Sequence, residues 1–185
     1  MPTKDQLAKI NQLHKPMAAQ MEAKYTERNQ HVTDVNPGFI DETTYGEVIT
    51  SLGTPCHAYT FDLTPPGVAC VLDYALPVRN DFLKHNGLPK SEGLITHDER
   101  SIMTQIVRQD LAYLEAAWQP LEVKNVTDAT IEQEKEELKI LDKNDTVILV
   151  AFECHMQHAN GLINIVYPIA VIDALIDKID AIELS

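Results

Sequence analysis

The stretch AFECHMQHANGLINIVYPIAVIDALIDKI, Ala151 to Ile179, decides the fold. Val147 to Phe152, which runs into it, is a continuous apolar segment of the kind buried on both faces of a sheet, and His158-Ala159-Asn160-Gly161 offers the residues a hairpin turn needs. Gly161 to Tyr167 returns as a second strand, Pro168 stops it, and Val171, Leu175 and Ile179 recur at helical spacing. The same order occurs earlier, in YTFDLTPPGVACVLDYALPVRNDFL at residues 59–83: strand, turn at Thr64-Pro65-Pro66-Gly67, strand, then a proline beside an apolar helical stripe. Phe61 and Phe152 lie 91 residues apart, Gly67 and Gly161 94, Tyr74 and Tyr167 93. The chain is therefore expected to be one domain, 1–185, made of two similar halves at about 4–86 and 96–180.

Size and composition narrow the class. A chain of 185 residues with 44% hydrophobic and 23% charged content suits one globular core. Its net charge of −13 repels phosphate, so neither nucleic acid nor an anionic membrane surface is expected as the main partner. Cys56, Cys70 and Cys154 are odd in number and lack disulfide-scaffold spacing, and no signal peptide precedes the first polar helix, which fits a reducing cytoplasm. No run approaches the ~20 apolar residues of a membrane span.

Taken in order, Thr3 and Gln6 form a capping box ahead of a stripe of Leu7, Ile10, Met17 and Met21. Pro16 interrupts that stripe, and a kink or two shorter helices are expected between Lys4 and Tyr25. Val32 to Val35 reads as a short strand, Asn36-Pro37-Gly38 as a turn, and Thr43 to Leu52 as a short helix. Thr96 and Glu99 form a second capping box, followed by Met103, Val107, Leu111, Leu114 and Trp118, the strongest helical stripe in the chain. Ile102 and Ile106 widen it, so this helix should lie on a sheet. Pro120 ends it, and Leu121, Val123 and Asn125 begin an alternating strand. Glu132, Glu134, Glu136 and Glu137 read as a solvated connection rather than a cation loop, for want of a turn glycine.

Catalytic chemistry is sparse. Cys154-His155-x-x-His158 has zinc-binding residue types, but the spacing is poor and neighbouring strand residues face opposite ways, so no metal site is expected. No nucleophile elbow, P-loop or dinucleotide fingerprint is present. The residues describe a non-catalytic domain without a cofactor.

The succession YGEVITSLGTP (45–55), FDLTPPGVACVLDYALPVRNDFL (61–83), LITHDERSIMTQIVRQDLAYLEAAWQP (94–120) and ILVAFECHMQHANGLINIVYPIAVIDAL (148–175) resembles the middle domain of the FliM family of flagellar motor switch proteins, within the CheC/CheX/FliY group. Its most specific part is Glu115-Ala116-Ala117-Trp118-x-Pro120 followed at the right distance by Tyr167-Pro168. The resemblance implies a three-layer α/β/α sandwich with an internal pseudo-twofold repeat. It also implies a subunit of the cytoplasmic C-ring that binds FliG and neighbouring copies of itself. In the family, the helix after the first hairpin ends in a G-G-x-G loop that docks FliG. The corresponding residues are Asn86, Gly87, Leu88 and Pro89, of which only Gly87 is retained, so the loop either docks FliG in a modified geometry or has lost that contact, an ordinary helix exit being the rival reading. CheC-type phosphatases of the regulator CheY carry an acidic residue and an asparagine three positions later. Here Asn11 is preceded by Ala8 and Glu99 is followed by Ile102, so neither half keeps the pair. The peptide that captures CheY and the FliN-like SpoA domain are not found either, so contacts with CheY and FliN are expected through segments outside this stretch.

Overall fold

A computed structural model describes residues 1–53, 56–88, 95–123, 125–126, 130–132 and 138–185. Its strands are β1 (Asp34–Thr44), β2 (Ala58–Thr64), β3 (Val68–Tyr74), β4 (Asn125–Val126), β5 (Thr130–Glu132), β6 (Thr146–His155) and β7 (Asn160–Pro168). Its helices are α1 (Lys4–Asn29), α2 (Tyr45–Ser51), α3 (Leu76–His85), α4 (His97–Trp118) and α5 (Ile169–Asp180). Among the described residues the strands form one antiparallel sheet in the order β1-β6-β7-β3-β2-β4, with β5 also on β2.

The register carries the repeat. In the central β3–β7 pair Leu72 faces Ile165, and these two residues are 93 apart, as are Tyr74 and Tyr167. A residue opposite its own counterpart marks a local twofold axis, so the two hairpins are related by rotation about that pair. The offset extends to the long helices: Thr3 and Thr96 both close capping boxes, Ile10 matches Met103, Met21 matches Leu114, and Tyr25 matches Trp118. All six of those core residues are buried, and α1 packs against α4. Gly67 and Gly161 are the exception. Gly67 sits in the first turn with φ +80, whereas Gly161 lies inside β7 opposite Cys154. The second connection is instead residues 156–159, closed by the Met156 N–H donating to the Ala159 carbonyl at 2.8 Å. Gly161 is glycine for a different reason: a Cβ there would come within 2.8 Å of Val78 Cγ2 on α3.

The layers are unequal. One sheet face, carrying Phe61, Leu72, Tyr74, Phe152, Ile165 and Tyr167, shares a single core with α1, α3, α4 and α5. On the opposite face, α2 and Leu138 cover Ala58, Val71, Val147 and Val166. Together they make the α/β/α arrangement.

Three local expectations are corrected. One helix runs unbroken from Lys4 to Asn29 with the exposed Pro16 inside it. A mid-helix proline costs about 3 kcal/mol, but burial of each of Ile10, Met17 and Met21 returns about 1.5–3 kcal/mol. Asn36-Pro37-Gly38 is not a turn but a bulge in the edge strand β1, where pairing slips between Pro37–Phe152 and Phe39–Ala151. An edge strand tolerates proline because its outward amide needs no ladder partner, and glycine suits a bulge. Leu121 belongs to a single 3-10 turn, Gln119–Leu121, so the strand after α4 shrinks to Asn125–Val126. Of the acidic segment, Glu134, Glu136 and Glu137 lie outside the described residues.

Candidate functional site

Helix α3 starts after Ala75, with Pro77 in its first turn, and ends at the loop singled out by sequence. Its exit is a Schellman motif. The Gly87 N–H donates to the Lys84 carbonyl at 3.0 Å and the Leu88 N–H to the Leu83 carbonyl at 2.9 Å, while Gly87 takes φ +77. Asn86 caps the helix through its side chain, Nδ2 donating to the Phe82 carbonyl at 2.8 Å. Leu88 packs back on the main core. Gly87 is thus required by the helix stop itself. Asn86 and Gly87 are exposed and Leu88 is half-buried, so this corner offers a fixed backbone to a partner; Pro89 lies outside the described residues.

Beside the corner a groove of about 560 Å³ runs between α3 and the β6–β7 connection, lined by Leu76, Pro77, Asp81, Lys84, Leu88 and His158. Its lining is largely apolar with a few polar groups at the mouth. Asp81 and His85 lie one turn apart on α3, and His158 reaches them from the hairpin. The zinc-like run in the sequence is dispersed: Cys154 is buried in the core, while the exposed His155 lies 3.2 Å from Asn160 Oδ1. Burial pushes the Cys154 thiol up to about 12. Only His158 turns toward other ionisable side chains, and the sequence had no signal for that meeting beyond the Asp81-x3-His85 spacing.

Two other polar clusters of the core are matched within the protein. The His14 Nδ1–H donates to the Ile10 carbonyl at 2.7 Å, leaving Nε2 to accept from the Tyr167 hydroxyl at 2.7 Å. Tyr167 accepts in turn from the Trp118 indole at 3.0 Å. Burial lowers His14 to about 4, so it stays neutral in this chain of bonds. The related position in the other half uses different chemistry: the hydroxyls of Tyr25 and Tyr74 both donate to Asp110 Oδ2, and burial raises that carboxyl to about 7. Glu99 is equally committed. It is buried, accepts from the Thr96 N–H at 3.2 Å and pairs with the buried Arg79 at 3.6 Å, so it is not presented to a phosphorylated partner.

The family model described as "Flagellar motor switch protein FliM" matches residues 3–184. The chain is 22% identical over 188 residues to the flagellar motor switch protein FliM of Borreliella burgdorferi, covering 96% of this chain and 52% of that protein. A second curated FliM, from Treponema pallidum, is 20% identical with 54% of its length covered, so the chain spans about half the length of the curated relatives it matches. Among solved structures, a chain of a FliM–SpeE complex from H. pylori superposes with TM-score 0.90 at 23% identity, covering 98% of this chain and 97% of that one. A chain of a FliG–FliM complex from H. pylori gives TM-score 0.85 at 24% identity, covering 96% and 100%. At these identities the structural likeness establishes the fold.

Proposed function

We propose, from the premise that this chain belongs to the flagellar motor switch protein FliM family, that it is a non-catalytic component of the flagellar switch ring which binds a FliG-like protein and neighbouring FliM-like copies. What supports the proposal is the family match over residues 3–184, together with a hydrogen-bonded corner at Asn86–Leu88, the stretch that the resemblance likens to the FliG-docking loop. A Schellman exit presents its outer surface in one conformation, and preorganisation lowers the ordering cost of docking. Asn86, Gly87, Leu88 and Pro89 form the contact, and the neighbouring groove takes an apolar side chain of the partner. The whole chain, 1–185, acts as one unit whose halves are about 4–86 and 96–180. Its working place, as for the family it belongs to, is the cytoplasmic face of the flagellar basal body. Any contact with CheY or FliN belongs to other segments.

Binding to the FliG encoded in the same genome, measured by calorimetry with the purified chain, tests the contact. Asn86→Arg and Lys84→Glu, both at exposed positions, are expected to weaken binding at least about 10-fold, or 1.4 kcal/mol; Lys84→Glu should do so without moving the unfolding midpoint, whereas Asn86→Arg also gives up the cap bond to the Phe82 carbonyl. Unchanged affinity in both would move the docking surface elsewhere. The phosphatase alternative is not favoured, because Glu99 is held by its own helix cap and by Arg79, and α1 and α4 lack the acid–asparagine pair.

A further inference from the structure

The geometry points to a divalent transition-metal site, of zinc type, built from Asp81 and His85 on α3 and His158 on the β6–β7 connection. One ligand atom from each of the three lies within 4.8 Å of the other two. Asp81 and His85 are four residues apart on a helix and therefore share a face, while His158 arrives from 77 residues away from Asp81. The Asp81 side chain is fully buried, a position that a carboxylate holds only when its oxygens are matched by donors or a cation. Its Oδ1 accepts from the His158 backbone N–H at 3.2 Å. Its Oδ2 lies 3.3 Å from His85 Nε2, yet neither atom makes a hydrogen bond. The two atoms are in ion-pair range but make no hydrogen bond, a separation at which one cation can take both as ligands. For bonds of about 2.0–2.2 Å in tetrahedral geometry, ligand atoms sit roughly 3.3–3.6 Å apart.

The third ligand is close to place. The His158 ring stacks on that of His85, with centroids 5.7 Å apart and planes 24° from parallel. His158 is exposed, so a side-chain rotation brings a ring nitrogen in without disturbing the core. Two imidazoles and one carboxylate are a donor set that suits zinc, with the fourth position left to water on the groove side, since Asp81 and His158 both line the groove. The bound ion would fasten the β6–β7 hairpin to the last turn of α3, immediately before Asn86.

The test uses the untagged, metal-stripped chain, titrated with Zn²⁺ in competition with a chromophoric chelator and with Co²⁺ followed by its visible absorption, so it does not depend on any protein partner. One equivalent of saturable binding is expected. Loss of one direct ligand should cost more than the loss of an outer-shell partner, so His85→Gln and His158→Gln should each weaken binding by more than about 100-fold. His158 is exposed, which keeps that variant folded, and retained Trp118 fluorescence checks both. His155→Gln should leave affinity unchanged. Absence of stoichiometric binding, binding untouched by His85→Gln and His158→Gln, or equal loss in His155→Gln would overturn the assignment.

Discussion

Replacing Asp110 by Asn should change the sign of its effect on stability as pH rises. The carboxyl is completely buried, accepts from Tyr25 and Tyr74 at Oδ2, and has no hydrogen-bond partner for Oδ1 among the described residues. Burial is the main cause of its rise from 3.8 to about 7, with the two tyrosine hydrogen bonds pulling the other way. The folded chain therefore keeps this proton between pH 4 and 7 while the unfolded chain releases it, so the group's contribution is greatest below the unfolded value and is lost as pH rises. At 1.36 kcal/mol per pKa unit the full span is worth about 4 kcal/mol. The wild-type curve alone hides this slope. His14 and His57, both lowered to about 4, add stability with rising pH up to about 6.5, while Asp73, raised to about 6, subtracts it. The difference between variant and wild type isolates Asp110. In acid the new amide group faces the unpartnered Oδ1 side and should cost about 1–3 kcal/mol. At pH 8 relief of the buried charge should outweigh that cost, so that Asp110→Asn gains about 4 kcal/mol on wild type across the range. Urea unfolding followed by the single tryptophan, Trp118, which is fully buried, measures both chains at each pH. A stability difference that stays constant from pH 4 to pH 8 would refute the reasoning.

Three further outcomes follow from the packing. Gly161→Ala should cost about 1–3 kcal/mol through contact with Val78 and Ala75, and in the Val78→Ala background the same change should cost less, which a double-mutant cycle reads directly. Gly87→Ala should cost about 1–2 kcal/mol in urea unfolding because φ +77 is unfavourable for a residue with a Cβ, and Gly87→Asn should cost less. Cys56, Cys70 and Cys154 are buried, and burial holds the Cys154 thiol at about 12, so all three should resist a thiol reagent at pH 8 in the folded chain and react together in urea.

The fold was legible where burial and periodicity coincide. The α4 stripe from Met103 to Trp118 is buried as its spacing predicts, and the two hairpins pair as their repeated order predicts. What spacing could not show is a polar residue on an apolar face. His14 and Asp110 are 0% exposed, yet by residue type each reads as surface; only a partner from a distant element, Tyr167 or Tyr25 and Tyr74, makes burial affordable. Glycine misled in a similar way. Asn36-Pro37-Gly38 and Asn160-Gly161 both look like turns, but one is a bulge and the other a site where α3 approaches the sheet, distinctions set by tertiary neighbours rather than by backbone preference. At the candidate corner, Asn86 and Gly87 could be located from sequence as a helix exit, whereas the approach of His158 to Asp81 depends on the hairpin folding back on α3.

The repeat also separates what the scaffold requires from what it was left free to vary. Positions related by 93 residues are matched where they build the core: Ala75 and Pro168 precede equivalent helices, and Tyr74 and Tyr167 anchor the two polar clusters. The helices then diverge. Helix α3 stops at His85 through Asn86 and Gly87, whereas the equivalents of those two residues, Ile179 and Asp180, continue α5, and Ile179 is buried. Asp81 and His85 likewise correspond to Ala174 and Lys178, which cannot bind a cation together. The asymmetry puts the helix exit at Asn86–Leu88, the groove beside it and the Asp81, His85 and His158 cluster on the same edge of the first half.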